Sequence, residues 1–69
     1  MNKYVKNIID TIKEFNWKVK DLYIKDNCIY AKVIKPDGKL EDEGLYAASE
    51  DDPKDVYNVF NELKCLLNV

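Results

Sequence analysis

The sequence contains no histidine and no arginine, and it has only two cysteines among its 69 residues. Without an imidazole, no side chain is suited to exchange protons near neutral pH, and Ser49 has no histidine to activate it as a nucleophile. Cys28 and Cys65 are too far apart in the sequence to suggest paired zinc ligands, and we expect both to be free thiols. These absences predict a protein that is not an enzyme and that holds no metal ion or cofactor.

Long apolar runs are also missing, although 46% of the residues are hydrophobic and 35% are charged, as in folded globular proteins. A chain of this length forms one small domain, residues 1–69. Asp10, Lys13 and Glu14 interrupt the apolar positions near the N-terminus, so the sequence predicts neither a signal peptide nor a membrane span. We therefore expect a cytoplasmic protein without membrane contact.

The N-terminal segment has the apolar spacing of an amphipathic helix, with Asn2 as its N-cap. The predicted apolar stripe consists of Val5, Ile8, Ile9, Ile12 and Phe15. After Asn16 the apolar period changes to two, which is typical of a strand, and its parity changes at Asp21. A bulge at Asp21 would keep both halves of this strand on the same core.

Two turn signals then predict a three-stranded meander. Residues 25–28 include an Asp-Asn pair that tolerates positive φ, and the strand after them places Ile29, Ala31 and Val33 on one face. Residues 36–38, Pro-Asp-Gly, fit a three-residue hairpin with glycine in the left-handed position. The returning strand is predicted from Lys39 to about Ala47, with a second bulge at Gly44.

A second helix is predicted to begin at Pro53, in its first position, with Asp51 or Asp52 as the N-cap. Its apolar stripe contains Val56, Val59, Phe60, Leu63, Leu66 and Leu67. The element order is therefore α-β-β-β-α. This order predicts an α+β fold in which an antiparallel meander is covered on one face by two helices.

Charge is divided unevenly along the chain. Residues 1–35 have eight lysines and four acids, a balance of +4, whereas residues 36–69 have three lysines and nine acids, a balance of −6. The acids between positions 37 and 55 are Asp37, Glu41, Asp42, Glu43, Glu50, Asp51, Asp52 and Asp55. On the predicted fold they belong to one hairpin tip, one strand and one helix start, so we expect a contiguous acidic edge.

Three interpretations of this edge are open. The acids can protect an edge strand against pairing with other chains. They can also form an electronegative surface that docks on a basic protein, with Asp37, Glu41, Asp42, Glu43, Glu50, Asp51 and Asp52 as contact residues. The segment from Asp37 to Glu43 lacks the acid spacing of a calcium loop, which makes a calcium site the weakest interpretation.

Other binding modes have some support. Lys18, Lys20 and Lys25 with Tyr23 form a basic and aromatic strand that would suit RNA, although scattered lysines on a solvated face are ordinary. Double-stranded RNA-binding domains share the element order but need a basic start to the second helix, which is acidic here. The main alternative is a small structural or regulatory module that acts as an adaptor or a homodimer. A homodimer would pair through a strand edge or through Leu66 and Leu67 at the end of the second helix.

The stretch from Ile9 to Lys39 resembles small phage anti-CRISPR proteins that inhibit the type II CRISPR effector nuclease by mimicking its DNA. The likeness lies in the Met1-Asn2 start of an Ile-rich helix, in the run Asn16-Trp17-Lys18-Val19-Lys20, and in the Asp37-Gly38 turn followed by acids. The resemblance implies an inhibitor that displaces a DNA duplex from a basic cleft. It also implies that Asp37, Gly38 and Glu41 are contact residues. We expect a monomer or a weak homodimer that does not itself bind nucleic acid.

Overall fold

The computed structural model describes residues 2–69 and has the α-β-β-β-α order that the sequence predicts. The elements are α1 (Lys3–Glu14), β1 (Lys18–Lys25), β2 (Cys28–Ile34), β3 (Leu40–Ala47) and α2 (Asp55–Leu67). The strands form one antiparallel sheet in the order β1-β2-β3, so β1 and β3 are its edges. The predicted α+β meander is confirmed.

Helix α1 begins and ends with local capping interactions. The side chain of Asn2 accepts a hydrogen bond of 2.7 Å from the Tyr4 N–H, as predicted for an N-cap. At the other end Asn16 has a φ of 56°, and the Trp17 N–H donates to the Ile12 carbonyl, which is a Schellman motif. This turn moves Phe15 off the apolar stripe. Its predicted core position is wrong, since Phe15 is 52% exposed and stacks on Trp17.

Each strand pair contains one bulge. In β1 the register shifts between Val19 and Asp21, which leaves Lys20 as the extra residue. In β3 the residues opposite Tyr30 and Ile29 are Gly44 and Tyr46, which leaves Leu45 as the extra residue. Each extra residue lies one position from its predicted bulge, at Asp21 and at Gly44. The bulges keep the apolar residues of the edge strands on the same side as the apolar residues of β2.

The two hairpin turns follow the turn chemistry of their residues. Asp26 and Asn27 both have positive φ, 53° and 59°, in the two-residue turn between β1 and β2. In the second turn the Lys35 N–H donates to the Lys39 carbonyl, and Gly38 has a φ of 86°. This is the predicted three-residue hairpin with a left-handed glycine.

Helix α2 begins two residues after its predicted start. Its N-cap is Lys54, without a side-chain cap, so neither Asp51 nor Asp52 caps the helix. Pro53 instead follows Asp52 in a turn that the Asp55 N–H closes by donating to the Asp52 carbonyl. Proline favours the second position of such a turn as well as the first position of a helix, which explains the wrong prediction.

The core lies between one face of the sheet and the two helices. Its fully buried side chains come from both helices and from β2, which is the central strand. Helix α2 packs on β1 and β2, and α1 packs against α2. The buried residues are Val5, Ile8, Ile12, Leu22, Ile29, Ala31, Val33, Val56, Val59 and Leu63. Among residues 2–69, no helix combines the length and apolar character needed to cross a membrane.

Candidate functional site

The acids of β3 lie on both faces of an edge strand. Glu41 and Glu43 are opposite Val33 and Ala31 in the register, so their side chains lie on the face that the helices cover. Asp42 lies between them in sequence and therefore on the opposite face, which we call the open face because no described helix packs on it. Three consecutive acids are thus divided between two surfaces.

Lys35 neutralises much of the charge on the helix-covered face. Its Nζ lies 2.7 Å from Glu43 Oε1 and 3.1 Å from Glu41 Oε2, and it lies 5.5 Å from the centre of the Trp17 ring. The hydrogen bonds that Lys35 donates to Glu43 and then to Glu41 raise the pKa of Lys35 above its ordinary value. Only 25% of the Lys35 side chain is exposed, so this cation is held in place between the two carboxylates.

Asp42 is paired in the same way on the open face. Lys32 Nζ lies 3.3 Å from Asp42 Oδ1 and 5.8 Å from the centre of the Tyr23 ring, which in turn stacks on Tyr30 at 5.5 Å. Partial burial, followed by the nearby Asp42 carboxylate, raises the pKa of Tyr23. The tyrosine pair therefore lies beside a neutralised ion pair.

The remaining acids lie beyond the two ends of β3. Asp37 is exposed in the hairpin tip, where its Oδ1 accepts a hydrogen bond from the Lys39 N–H. Residues 50–52, which we call the acidic loop, follow the other end of β3, where Ser49 Oγ accepts from the Asp51 N–H. A strand of eight residues separates the tip from the loop by about 25 Å. Within residues 2–69, no ion pair involves Asp37 or the acidic loop.

The acidic edge differs from the contiguous one that the sequence predicts. All seven predicted acidic contact residues lie on the edge strand β3 or in the two segments that flank it, the hairpin tip and the acidic loop. They do not form one bare patch. The middle three are paired with lysines from the first half of the chain, and only the two ends carry unpaired negative charge among the described residues.

A groove between α1 and β3 is the feature that the sequence reasoning missed. It has a volume of about 290 Å³ and is lined on the β3 side by Leu45 and Tyr46, with Trp17 at one end. From α1 it receives Tyr4, Asn7, Ile8 and Thr11. The groove exists because α2 packs on β1 and β2, which leaves the inner face of β3 partly uncovered. The only signal in the sequence is that Tyr4 lies at the margin of the apolar stripe of α1.

Two lysines of β1, Lys18 and Lys25, share the open face with the tyrosine pair. Lys18 and Lys25 are opposite Ile34 and Cys28 in the register, and Lys20 is the bulged residue. The structure therefore brings a part of the predicted basic strand beside Tyr23.

The described residues give no geometry for a metal ion. No group of three or more His, Cys, Asp or Glu side chains among residues 2–69 converges on one point. In the segment from Asp37 to Glu43, the division of acids between the two faces of β3 prevents convergence. Cys28 and Cys65 are both free thiols, with Cys65 exposed.

The chain matches no protein-family model, and no curated protein and no solved structure is significantly similar to it. Its function is therefore inferred from the geometry of its own residues.

Proposed function

We propose that this chain is a non-enzymatic, protein-binding inhibitor that docks the β3 side of the molecule on a basic, nucleic-acid-binding protein surface. One observation carries the proposal: a row of acids continues from Asp37 along the edge strand β3 and into the acidic loop. A basic surface evolved to bind phosphates is complementary to such a row. The proposed contact residues are Asp37, Gly38, Glu41, Asp42, Glu43, Glu50, Asp51 and Asp52.

The internal lysine pairs are compatible with docking. The side chains of Glu41 and Asp42 are 47% and 52% exposed, and ion pairs at such positions contribute little to stability. An arginine of the partner binds a carboxylate through two parallel hydrogen bonds, which a lysine cannot do. Arginine can therefore replace Lys32 as the partner of Asp42 at low cost.

The hairpin tip supplies a rigid, unobstructed contact. A Cβ placed on Gly38 would meet no heavy atom within 4 Å, so the space around this residue is open to a partner. The Asp37 carboxylate is held by the Lys39 N–H, which fixes its direction. The resemblance to phage inhibitors adds the guide-loaded type II CRISPR effector nuclease as the partner to test first.

The test measures binding of a labelled target duplex to that nuclease by fluorescence anisotropy, with and without the chain. We expect the native chain to displace the duplex and the variant Glu41→Lys/Asp42→Lys to lose at least about tenfold in potency. The matched control is Asp10→Lys/Glu62→Lys, which makes the same change in net charge at helix residues that neither lie on β3 nor line the groove. Equal potency of the two variants would overturn the proposed surface, and no displacement by the native chain would overturn this partner.

Homodimerisation is a second candidate because the end of α2 presents an exposed apolar side chain. Leu66 is 48% exposed, next to the partly buried Leu67. Sedimentation velocity at several concentrations separates the two candidates, since a stable dimer that Leu66→Lys dissociates would favour the structural module.

A further inference from the structure

The outer backbone of β3 has no hydrogen-bonding partner strand among residues 2–69. β3 pairs with β2 alone, and hydrogen-bonded and non-hydrogen-bonded residue pairs alternate along an antiparallel ladder. Lys35 and Lys39 form a hydrogen-bonded pair, since the Lys35 N–H donates to the Lys39 carbonyl. Alternation then makes the pairs Ile34–Leu40 and Lys32–Asp42 non-hydrogen-bonded. The pair between them, Val33–Glu41, is hydrogen-bonded. The N–H and C=O groups of Leu40 and Asp42 therefore point away from the sheet.

The groove continues the helix-covered face of this same edge. Moving along β3 toward α2, that face presents Glu41, then Glu43, and then Leu45 and Tyr46 in the groove wall. The Tyr4 and Tyr46 rings, 5.6 Å apart, lie at the groove, and Tyr4 is 46% exposed. A segment lying along β3 would thus meet carboxylates first and an apolar, aromatic groove second.

We propose that the β3 edge binds an extended basic segment of its partner by strand addition. The segment places arginine or lysine side chains against Glu41 and Glu43 and an apolar side chain in the groove, while its backbone pairs with Leu40 and Asp42. This inference rests on the proposed function, since it specifies how the same edge holds a basic partner. It adds a binding mode and a sequence pattern for the partner segment.

The charge of β3 favours binding of a basic segment over pairing with a second copy of the chain. Two β3 strands paired edge to edge would bring acids of one copy beside acids of the other, and like charges that face each other across strands are destabilising. A basic strand meets the opposite sign at the same positions. The acids of β3 therefore disfavour self-association and favour a basic segment.

The experiment uses the full chain and a capped heptapeptide with valine at its first and third positions, arginine at its fifth and seventh, and threonine between them. The valines and arginines then lie on one face of a strand that runs antiparallel to β3, with the valines at the groove and the arginines at Glu43 and Glu41. Amide hydrogen exchange by NMR is the main measurement. In the free chain we expect the Glu41 and Glu43 amides to be protected by β2 and the Leu40 and Asp42 amides to exchange faster. Bound peptide should slow exchange at Leu40 and Asp42 by at least about tenfold.

Two peptide controls keep the outcome independent of protein folding. One has N-methyl groups on alternate residues, which preserves its charge but removes backbone donors, and we expect it to bind at least about tenfold more weakly. The other replaces valine with serine, and we expect weaker binding because its side chains do not fill the groove. On the protein side, Asp42→Pro removes the outward N–H and Asp42→Ala is the matched loss of charge.

Equal binding of the methylated and unmodified peptides, or binding without protection of Leu40 and Asp42, would overturn strand addition. Failure of the peptide to bind at low salt would also overturn it. None of these results affects the duplex-displacement assay. The proposed inhibitor function is therefore tested independently of strand addition.

Discussion

The hydroxyl of Tyr46 donates a 2.6 Å hydrogen bond to Asp55 Oδ2. Tyr46 lies near the end of β3 and Asp55 is the first residue of α2, so this bond joins the edge strand to the start of the helix. The bond is partly buried, and α2 has no side-chain N-cap of its own. It therefore holds one wall of the groove in place.

Replacing Tyr46 with phenylalanine tests this connection. Tyr46→Phe keeps the ring that packs on Tyr4 but removes the donor to Asp55. Since hydrogen bonds to charged groups are stronger than neutral ones but this bond is only partly buried, we expect the free energy of unfolding to fall by about 1–2 kcal/mol. Urea denaturation measures the change. Tyr57→Phe is the control, because Tyr57 is 56% exposed and should alter stability by less than about 0.5 kcal/mol.

The same bond predicts how stability depends on pH. The hydrogen bond to Asp55, then burial and the Asp55 charge, raise the pKa of Tyr46 from 10.0 to about 12. A raised pKa in the folded state means that the unfolded chain loses its proton first, so stability is complete below pH 10.0 and falls as the pH rises toward 12. Lys35, whose pKa is also raised, adds to the loss in the alkaline range.

Absorbance of tyrosinate during an alkaline titration checks this prediction. We expect Tyr46 to ionise last among the tyrosines with a resolved pKa shift, and Asp55→Asn to return its pKa toward 10.0. A titration in which Asp55→Asn leaves the tyrosine curve unchanged would contradict the assignment.

Most of the fold was predictable because local rules determine it. The Asn2 cap, the left-handed Gly38 and the Asp26-Asn27 turn each follow from the conformational preferences of their own residues. The prediction for Phe15 was wrong because the apolar periodicity of a helix does not show where the helix ends. The Schellman turn at the end of α1 rotates Phe15 outward. The predicted start of α2 failed because Pro53 suits both a turn and a helix start.

The candidate site was predictable only in part. The hairpin turn fixes the register, which places Lys32 opposite Asp42 and brings Lys35 to the face of Glu41 and Glu43. Neutralisation of these acids was therefore implicit in the sequence, although counting charges by chain segment concealed it. The groove was not implicit, because it depends on how two helices share the surface of three strands.

The two glycines predict opposite responses to alanine. Gly38 has a φ of 86°, so Gly38→Ala forces a side chain into the left-handed region and should cost about 1–2 kcal/mol of stability. Gly44 is not in that region, and a Cβ there would lie 3.7 Å from Tyr30 Cε1, an ordinary contact. Gly44→Ala should therefore stabilise the chain by about 0.4–1 kcal/mol through the unfolded state. Thermal denaturation of both variants checks the signs, and destabilisation by Gly44→Ala would show that the bulge needs glycine.

Replacing a core leucine of α2 should lower the stability of the protein much more than replacing a surface leucine. Leu63 is fully buried and Leu66 is 48% exposed, although both lie on the predicted apolar stripe. Leu63→Ala should cost about 2–5 kcal/mol, a large part of the stability of a domain this small, and Leu66→Ala less than about 1 kcal/mol. Urea titrations of both variants measure the costs. Similar costs for the two would indicate that Leu66 is buried in solution, as in a homodimer.

Removing the cation of Lys35 should strengthen binding to a basic partner. Lys35→Met keeps an unbranched side chain beside Trp17 but leaves Glu41 and Glu43 without their internal counter-charge. The more negative edge should then bind the arginine-valine heptapeptide several-fold more tightly, with a steeper dependence on salt. Isothermal titration at two salt concentrations measures both effects. Lys13→Met, on α1, is the control for the change in net charge. Weaker binding by Lys35→Met than by this control would contradict the prediction. It would mean that Lys35 positions Glu41 and Glu43 for the peptide and does not compete with the peptide for them.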